Sequence, residues 1–476
     1  MWNEPDASRR AFFFDASAGL VSVALPWLLA AGANADSPRG DADDRPPHHP
    51  PRVKRVVQIF ACGGVSHLDT FDHKPELARL DGKAMAGGGA IEKPFFGQIG
   101  RLSKSPFAFA RRGGSGQWVS DLLPHLATCV DDMTFLQAMH AKSSNHTPAT
   151  FQMNSGFTMN GFPSLGAWLS YGLGTENEDL PTFVVMPDPR GVPAGGSINW
   201  TSGFLPASHQ GVAFRPKGEP IADLFPPAEV SREARRAGVA ALDRMNRDYA
   251  ARHVGDSVLD ARVRSYELAG RMQASVPEAT EITGESAATR ALYGMDSPVT
   301  EPFGKNCLRA RRLLERGVRF VQLYHGGAFG SPRINWDAHE DLADNHRTQA
   351  ASLDKPVAGL LKDLKSRGML DDTLVLWTTE FGRTPFTQGV GGKGRDHHPF
   401  GFTCWMAGGG LKPGFTLGKT DDVGYHGVED KTSVYDLHAT VLHLMGIDHT
   451  RLTYYHNGIK RRLTDVHGGV IEKVLA

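Results

Sequence analysis

The sequence predicts an α/β fold: a doubly wound, mostly parallel β-sheet with helices on both faces and a helical insertion. Short apolar runs alternate along the chain with amphipathic helical patterns, which is typical of a parallel sheet covered on both faces. The chain has 476 residues, of which 40% are hydrophobic, and this suffices for a large core. Its 54 glycines and 30 prolines indicate many loops between the elements.

The first 35 residues predict an export signal of the twin-arginine type. Arg9 and Arg10 precede an apolar stretch over 16–31, and small residues follow at 33–35, where a signal peptidase cleaves. Asp15 and Pro26 disfavour a membrane-spanning helix, so no transmembrane helix is expected in the mature chain. Residues 36–52 are rich in proline and are predicted to be a disordered linker. Residues 53–476 form the predicted domain, located in the periplasm or outside the cell.

The elements of that domain follow from local patterns. Strands are predicted over 53–61, 133–139, 182–186, 318–324, 373–379 and 401–407. Helices are predicted over 164–172, 231–253, 257–274, 305–316, 349–367 and 432–445, and Gly317 and Gly368 are expected to end two of them. The charged pair 231–253 and 257–274 predicts the helical insertion, at about residues 229–300.

Charge and cysteine content argue against several classes of protein. The 52 Lys and Arg balance the 52 Asp and Glu, so nothing favours a nucleic-acid partner. Cys62, Cys129, Cys307 and Cys404 lie far apart without CxxC spacing, which argues against a zinc ribbon or a dense disulfide scaffold, although one or two disulfides stay open. No G-x-S-x-G elbow of a Ser/His hydrolase is found.

Four loops that follow predicted strands are rich in candidate ligands, and sites in open α/β sheets form at the carboxyl ends of strands. Carboxylates and imidazoles that converge there suit zinc and similar ions. Asn145–His146–Thr147 precedes a proline suited to the first turn of a helix, whose N-terminus attracts anions. The candidate metal ligands are Asp69, Asp337, His339, Glu380, Asp396, His397 and His398.

Each candidate also has a structural explanation. Asp69 can cap a turn, Thr147 can cap a helix, and Glu380 can form a salt bridge with an arginine. Arg383 and Arg395 can instead grip an anionic ester through paired hydrogen bonds. The clustering of these residues in one C-terminal segment favours a metal site over the separate explanations.

Six motifs in order resemble the bacterial family called domain of unknown function 1501, which is placed in the alkaline phosphatase and sulfatase superfamily. They are GGxSxLDxFDxKP at 63–75, NHxPA at 145–149, WDxH at 336–339, EFGRTP at 380–385, GRDHxP at 394–399 and AGGG at 407–410. The resemblance covers nearly the whole mature chain. It implies an alkaline-phosphatase-like fold with one or two divalent metal ions: zinc, calcium, magnesium and manganese are not distinguished. In that likeness Asp69, Asp337, His339 and one of His397 and His398 look like metal ligands.

The first functional hypothesis is an exported, metal-dependent hydrolase of phosphate or sulfate esters. Its substrate is a small molecule or a glycan ester, Arg383 or Arg395 neutralises the anion, and the attacking group is His146, Thr147 or a metal-activated water.

The second hypothesis is a catalytically inactive, sulfatase-like envelope protein that binds anionic ligands or assembles with partners. It is motivated by Glu380–Phe381, which stands where the superfamily usually has an Asp–His pair. The sequence does not indicate an oligomeric state.

Overall fold

The computed structural model describes residues 46–85, 94–216, 218, 220–221, 231–252, 257–328 and 334–476. A nine-stranded sheet forms its centre, in the order β13-β5-β12-β9-β1-β8-β6-β7, with β16 also paired to β5. β12 is antiparallel to both of its neighbours, and every other pairing in this sheet is parallel. The predicted α/β class with a mostly parallel sheet is confirmed.

The strands are β1 (Arg55–Ala61), β2 (Ile99–Leu102), β3 (Phe109–Arg112), β4 (Gln117–Ser120), β5 (Met133–His140), β6 (Phe183–Met186), β7 (Val212–Ala213), β8 (Phe320–His325), β9 (Thr373–Thr378), β10 (Gly382–Gln388), β11 (Arg395–His398), β12 (Phe402–Gly408), β13 (Phe415–Leu417), β14 (Lys419–Thr420), β15 (Gly427–Glu429), β16 (Thr432–Ser433), β17 (Tyr454–His456) and β18 (Ile459–Arg461). The α-helices are α1 (Pro75–Arg79), α2 (His146–Ser155), α3 (Leu165–Leu173), α4 (Arg232–Arg252), α5 (Ser257–Thr280), α6 (Ala287–Leu292), α7 (Glu301–Glu315), α8 (Leu342–Ser366) and α9 (Val434–Leu444). In the described ranges, no helix has the length and apolar character needed to cross a membrane.

Two hydrophobic cores lie on the two faces of the sheet. Successive side chains of a strand point to opposite faces, so β1 contributes Val57 and Ile59 to one core and Val56 and Phe60 to the other. Helices α7 and α8 cover the first face, and helices α3 and α9 cover the second. Helices on both faces explain why the central strands are continuous apolar runs.

All four cysteines are free and buried. Cys129 and Cys307 lie in the core beneath α7 and α8, and Cys62 and Cys404 lie in the opposite core.

The central strands and the main helices lie within a few residues of their predicted positions, with α8 starting earlier than expected. The β10–β11 hairpin was not predicted, and it supplies several residues of the site described below. Helices α4, α5 and α6 occupy most of the predicted insertion.

The predicted export signal lies outside the described residues. The end of the predicted linker is held against the domain, because the backbone N–H of Arg52 donates to the carbonyl oxygen of Leu444 over 2.8 Å. A disordered linker therefore does not extend to residue 52.

Candidate metal centre

The polar loops meet at one edge of the sheet. The carboxyl ends of β1, β8 and β9 are in register, since Ala61 pairs with His325 and Phe60 with Thr378. β5 leads at the same edge into α2, whose first residue is His146. The loop after β8 carries Asp337 and His339, and β11 brings His397.

Gly63 lets two of these loops approach closely. It has a φ of 111°, and a Cβ atom at this position would lie 2.5 Å from the backbone nitrogen of Asp337. Its own N–H donates to Glu380 Oε1 over 2.8 Å. A glycine is therefore required both by the backbone conformation and by the approach of the Asp337 loop.

Four side chains converge on one point. His146, Asp337, His339 and His397 each offer a ligand atom, and these atoms lie within 4.8 Å of one another. Asp337 Oδ1 is 2.7 Å from His339 Nε2, 3.2 Å from His397 Nε2 and 3.4 Å from His146 Nε2. The Nε2 atoms of His339 and His397 are 2.8 Å apart. We call these four residues the metal-ligand group.

The other nitrogen of each imidazole faces a hydrogen-bond acceptor. His146 Nδ1 lies 2.7 Å from Glu380 Oε1, and His339 Nδ1 lies 2.6 Å from Gln388 Oε1. His397 Nδ1 lies 2.6 Å from the carbonyl oxygen of Ser144. Because these acceptors require an N–H, the neutral form of each ring would carry its proton on Nδ1 and point a lone pair from Nε2 into the group.

This donor arrangement fits a bound cation. Two Nε2 lone pairs 2.8 Å apart, beside an ionised carboxylate, repel one another unless a cation or a shared proton lies between them. His146 Nε2 is buried and has no hydrogen-bond partner in the described part of the chain. Hydrogen bonds from the second ring nitrogen to a carboxylate or carbonyl are the usual support of metal-binding histidines.

Burial and charge set the protonation states of the group. Burial alone would raise the pKa of the Asp337 carboxyl, but Arg383 and the three imidazoles outweigh it and hold that pKa well below its usual range. Burial lowers the pKa of His397 well below its ordinary value. Burial also lowers the pKa of His146, but the carboxylates of Asp337 and Glu380 outweigh it and raise that pKa.

Four expected ligands lie outside the metal-ligand group, and three of them, Asp69, Asp396 and His398, have other partners. Asp69 is fully buried and forms an ion pair with Arg395, whose Nε lies 2.9 Å from Asp69 Oδ2. Asp396 accepts hydrogen bonds from the backbone N–H of Phe96 and of His397. His398 follows His397 in β11 and so points to the other face, where its Nε2 contacts the carbonyl oxygen of Tyr425. Burial lowers the pKa of His398 to about 3.

Glu380 supports the group without belonging to it. Its Oε1 accepts from His146 Nδ1 and from the backbone N–H of Gly63, and the side chain is 2% exposed. Glu380, one of the expected ligands, therefore lies beside the group and hydrogen-bonds the His146 imidazole.

Arg383 and Arg395 cannot grip a substrate, contrary to expectation. The Arg383 side chain is 0% exposed and donates to Asp337 Oδ1 and to the carbonyl oxygens of Gly63 and Gly64. The Arg395 side chain is 2% exposed and is held by Asp69. A buried guanidinium needs a counter-charge and acceptors for its N–H groups, and both arginines use their donors in this way.

The N-terminus of α2 opens beside the metal-ligand group. Asn145 occupies the cap position in an extended conformation, but its side chain makes no capping hydrogen bond. Thr147 lies in the first turn and is half-buried. Backbone N–H groups at such an end attract anions.

The sequence alone assigns no supporting role to several residues around the group. Phe381 packs inside the group, with its ring centroid 4.6 Å from that of His397. Gln388 anchors His339, and Phe95 and Phe96 cover His397 and His339 from the outside. Their places depend on the β10–β11 hairpin and on a turn, which bring together residues distant along the chain.

Solved structures of low identity are similar over much of the chain. A phosphonate monoester hydrolase from Silicibacter pomeroyi has a TM-score of 0.34 and 12% identity, covering 68% of this chain and 68% of that one. The PsFucS1 sulfatase from Pseudoalteromonas sp. has a TM-score of 0.35 and 13% identity, covering 86% and 74%. Alkaline phosphatase from the Antarctic bacterium TAB5 has a TM-score of 0.33 and 9% identity, covering 83% and 98%. No curated protein matches the chain.

A family profile described as "Protein of unknown function (DUF1501)" matches residues 53–475. This match spans the domain that carries all six sequence motifs and the metal-ligand group. The protein belongs to the DUF1501 family.

Proposed function

We propose that the protein is an exported, metal-dependent hydrolase of phosphate or sulfate esters. The observation that carries the proposal is the convergence of three imidazole Nε2 atoms and the Asp337 carboxylate, each imidazole being anchored through Nδ1. Export rests on the twin-arginine motif at Arg9 and Arg10. The substrate class, a small-molecule or glycan ester, is part of the proposal.

The donor set favours a transition metal. Three nitrogen ligands and one carboxylate oxygen suit zinc, manganese and similar ions, whereas calcium and magnesium prefer oxygen ligands. The group accommodates one ion among the described residues. A bound divalent ion would supply Lewis-acid chemistry to the ester.

Other groups of this chain orient the imidazoles and bind the anionic oxygens of the ester. Gln388, Glu380 and the carbonyl of Ser144 orient the imidazoles. The uncapped N-terminus of α2 offers N–H groups to the anionic oxygens of the ester, which the buried arginines cannot do. His146 has the most exposed side chain of the group, at 23%, so substrate approaches from its side.

Metal analysis together with turnover tests the proposal. The purified protein is expected to bind about one zinc or manganese ion per chain and to hydrolyse an aryl phosphate or an aryl sulfate. His397→Ala is expected to lose both the metal and the turnover. His467→Ala removes an exposed imidazole outside the group and is the matched control. A protein that takes up none of these ions, or a His397→Ala variant with full metal content, would contradict the proposal.

Thr147→Ala separates the candidate attacking groups. Loss of turnover with unchanged metal content identifies the Thr147 hydroxyl as the attacking group. Retained turnover excludes the Thr147 hydroxyl and leaves His146 or a metal-activated water as the attacking group, because the variant keeps every residue of the metal-ligand group.

One observation favours a second candidate, an inactive metal-binding protein of the cell envelope. The side chains of Asp337, His339 and His397 are at most 9% exposed, which leaves little open surface for an ester. Stoichiometric metal binding without turnover of any aryl phosphate or aryl sulfate would favour this candidate.

A further inference from the structure

Two exposed phenylalanines stand directly on the metal-ligand group. The ring centroid of Phe96 is 4.7 Å from that of His339, edge to face, and that of Phe95 is 4.9 Å from that of His397. The rings of Phe95 and Phe96 are themselves perpendicular, with centroids 5.0 Å apart. We call this pair the aromatic corner.

The aromatic corner is held in place by the backbone. The N–H of Gly97 donates to the carbonyl oxygen of Pro94 over 2.9 Å, which closes a turn with both phenylalanines at its centre. The N–H of Phe96 donates to Asp396 Oδ2 over 3.0 Å. Asp396 adjoins His397 in the chain, so the turn is tied to the strand that carries a ligand.

Each ring keeps an open side. Phe95 is 42% exposed and Phe96 is 51% exposed, and these are the only phenylalanines in the exposed class among the residues described. Phe381, by contrast, packs against His397 from within and is fully buried. One face of each exposed ring shields an imidazole of the group. The opposite face is open and has no part in that shielding.

We propose that the aromatic corner binds a six-membered ring carried by the ester substrate. An aromatic face stacks against an aryl ring or the apolar face of a pyranose, and its perpendicular neighbour bounds the ring at the edge. The position of the corner beside the metal-ligand group places such a ring next to the reacting ester. This inference rests on the proposed function, because it assigns the alcohol part of the substrate.

Binding of non-hydrolysable phosphonates to the metal-loaded protein tests the inference without relying on turnover. Calorimetry compares phenylphosphonate with methylphosphonate, and the phosphonate isostere of glucose 6-phosphate with that of glycerol phosphate. The ring-bearing member of at least one pair is expected to bind about tenfold more tightly. Preference in the first pair indicates an aryl ester, and preference in the second pair indicates a glycan ester.

Phe96→Leu and Phe95→Leu keep apolar bulk and remove the aromatic face. Both are expected to bring the ring-bearing ligand to the affinity of its ring-free partner, with unchanged metal content. Tyr455→Leu, at an exposed aromatic residue of β17, is the matched control and should keep the preference.

Two results would overturn the inference. Equal affinities within both pairs in the unmodified protein, or a preference that persists in both leucine variants, refute the aromatic corner as a ring site while the proposed function stands. Absence of binding by all four phosphonates also refutes the inference, and the turnover of an aryl phosphate or an aryl sulfate then decides the proposed function separately.

Discussion

Replacing Asp337 by asparagine tests the metal-ligand group and the Arg383 ion pair in one experiment. Arg383 Nη2 lies 2.8 Å from Asp337 Oδ1, and the two side chains are 0% and 9% exposed. The other acceptors of Arg383 are backbone carbonyls, so Asp337→Asn leaves a buried guanidinium without its counter-charge. Breaking a buried pair in this way costs about 3–5 kcal/mol of unfolding free energy.

The metal adds a second, separable effect. An ion at a hundred times its dissociation constant stabilises the native state by about 2.7 kcal/mol. Unmodified protein is expected to gain this increment between chelated and metal-saturated conditions, whereas Asp337→Asn gains almost none. Urea unfolding, monitored by tryptophan fluorescence, measures both the free energy lost with the ion pair and the increment gained from the metal.

Asp69→Asn is the matched control, because the Asp69–Arg395 pair is equally buried but lies outside the metal-ligand group. It should lose a similar 3–5 kcal/mol in chelator and keep the full metal increment. An Asp337→Asn variant that retains the metal increment would refute the ligand assignment. A loss below about 1 kcal/mol in chelator would refute the reasoning about the ion pair.

Three further outcomes are expected. Gly63→Ala places a Cβ 2.5 Å from the Asp337 backbone nitrogen at a φ of 111°. It should therefore lower both the free energy of unfolding, measured in urea, and the metal affinity, measured by titration. Unchanged values of both would contradict the close approach of the two loops. Gln388→Leu removes the acceptor for His339 Nδ1 and should weaken metal binding about 10–100-fold by titration, whereas unchanged affinity would show that this hydrogen bond does not matter. Burial lowers the pKa of His438 to about 4, so the unfolded chain binds this proton first and stability falls as pH falls from about 6.5 to 4. His438→Gln should remove about 3 kcal/mol of that acid-induced loss in urea unfolding at several pH values, and parallel pH profiles would contradict it.

The central strands could be predicted because burial on both faces makes them continuous apolar runs, as in β1 and β9. The β10–β11 hairpin could not be, because its sequences GRTPFTQ and RDHH are polar yet almost wholly buried. Its side chains are satisfied by distant partners, such as Asp69 for Arg395 across 326 positions of chain. Local patterns contain no information about such pairs.

The residues of the site, too, could be predicted from the sequence only in part. Asp337 and His339 share one loop, and the motif that contains them pointed to a metal. The choice between His397 and His398 needed the strand itself, because neighbouring residues of β11 face opposite sides. The sequence leaves Arg383 and Arg395 available for substrate, because the carboxylates that pair with them are 46 and 326 positions away along the chain.

The reactivity of the four buried cysteine thiols measures how often the native structure opens locally. Burial raises the pKa of the Cys404 thiol to about 12, so at neutral pH the native protein presents almost no reactive thiolate there. Cys129 and Cys307 report on the face covered by α7 and α8, and Cys62 and Cys404 report on the opposite face. Alkylation rates measured peptide by peptide would therefore show whether the two faces of the sheet open together or one before the other.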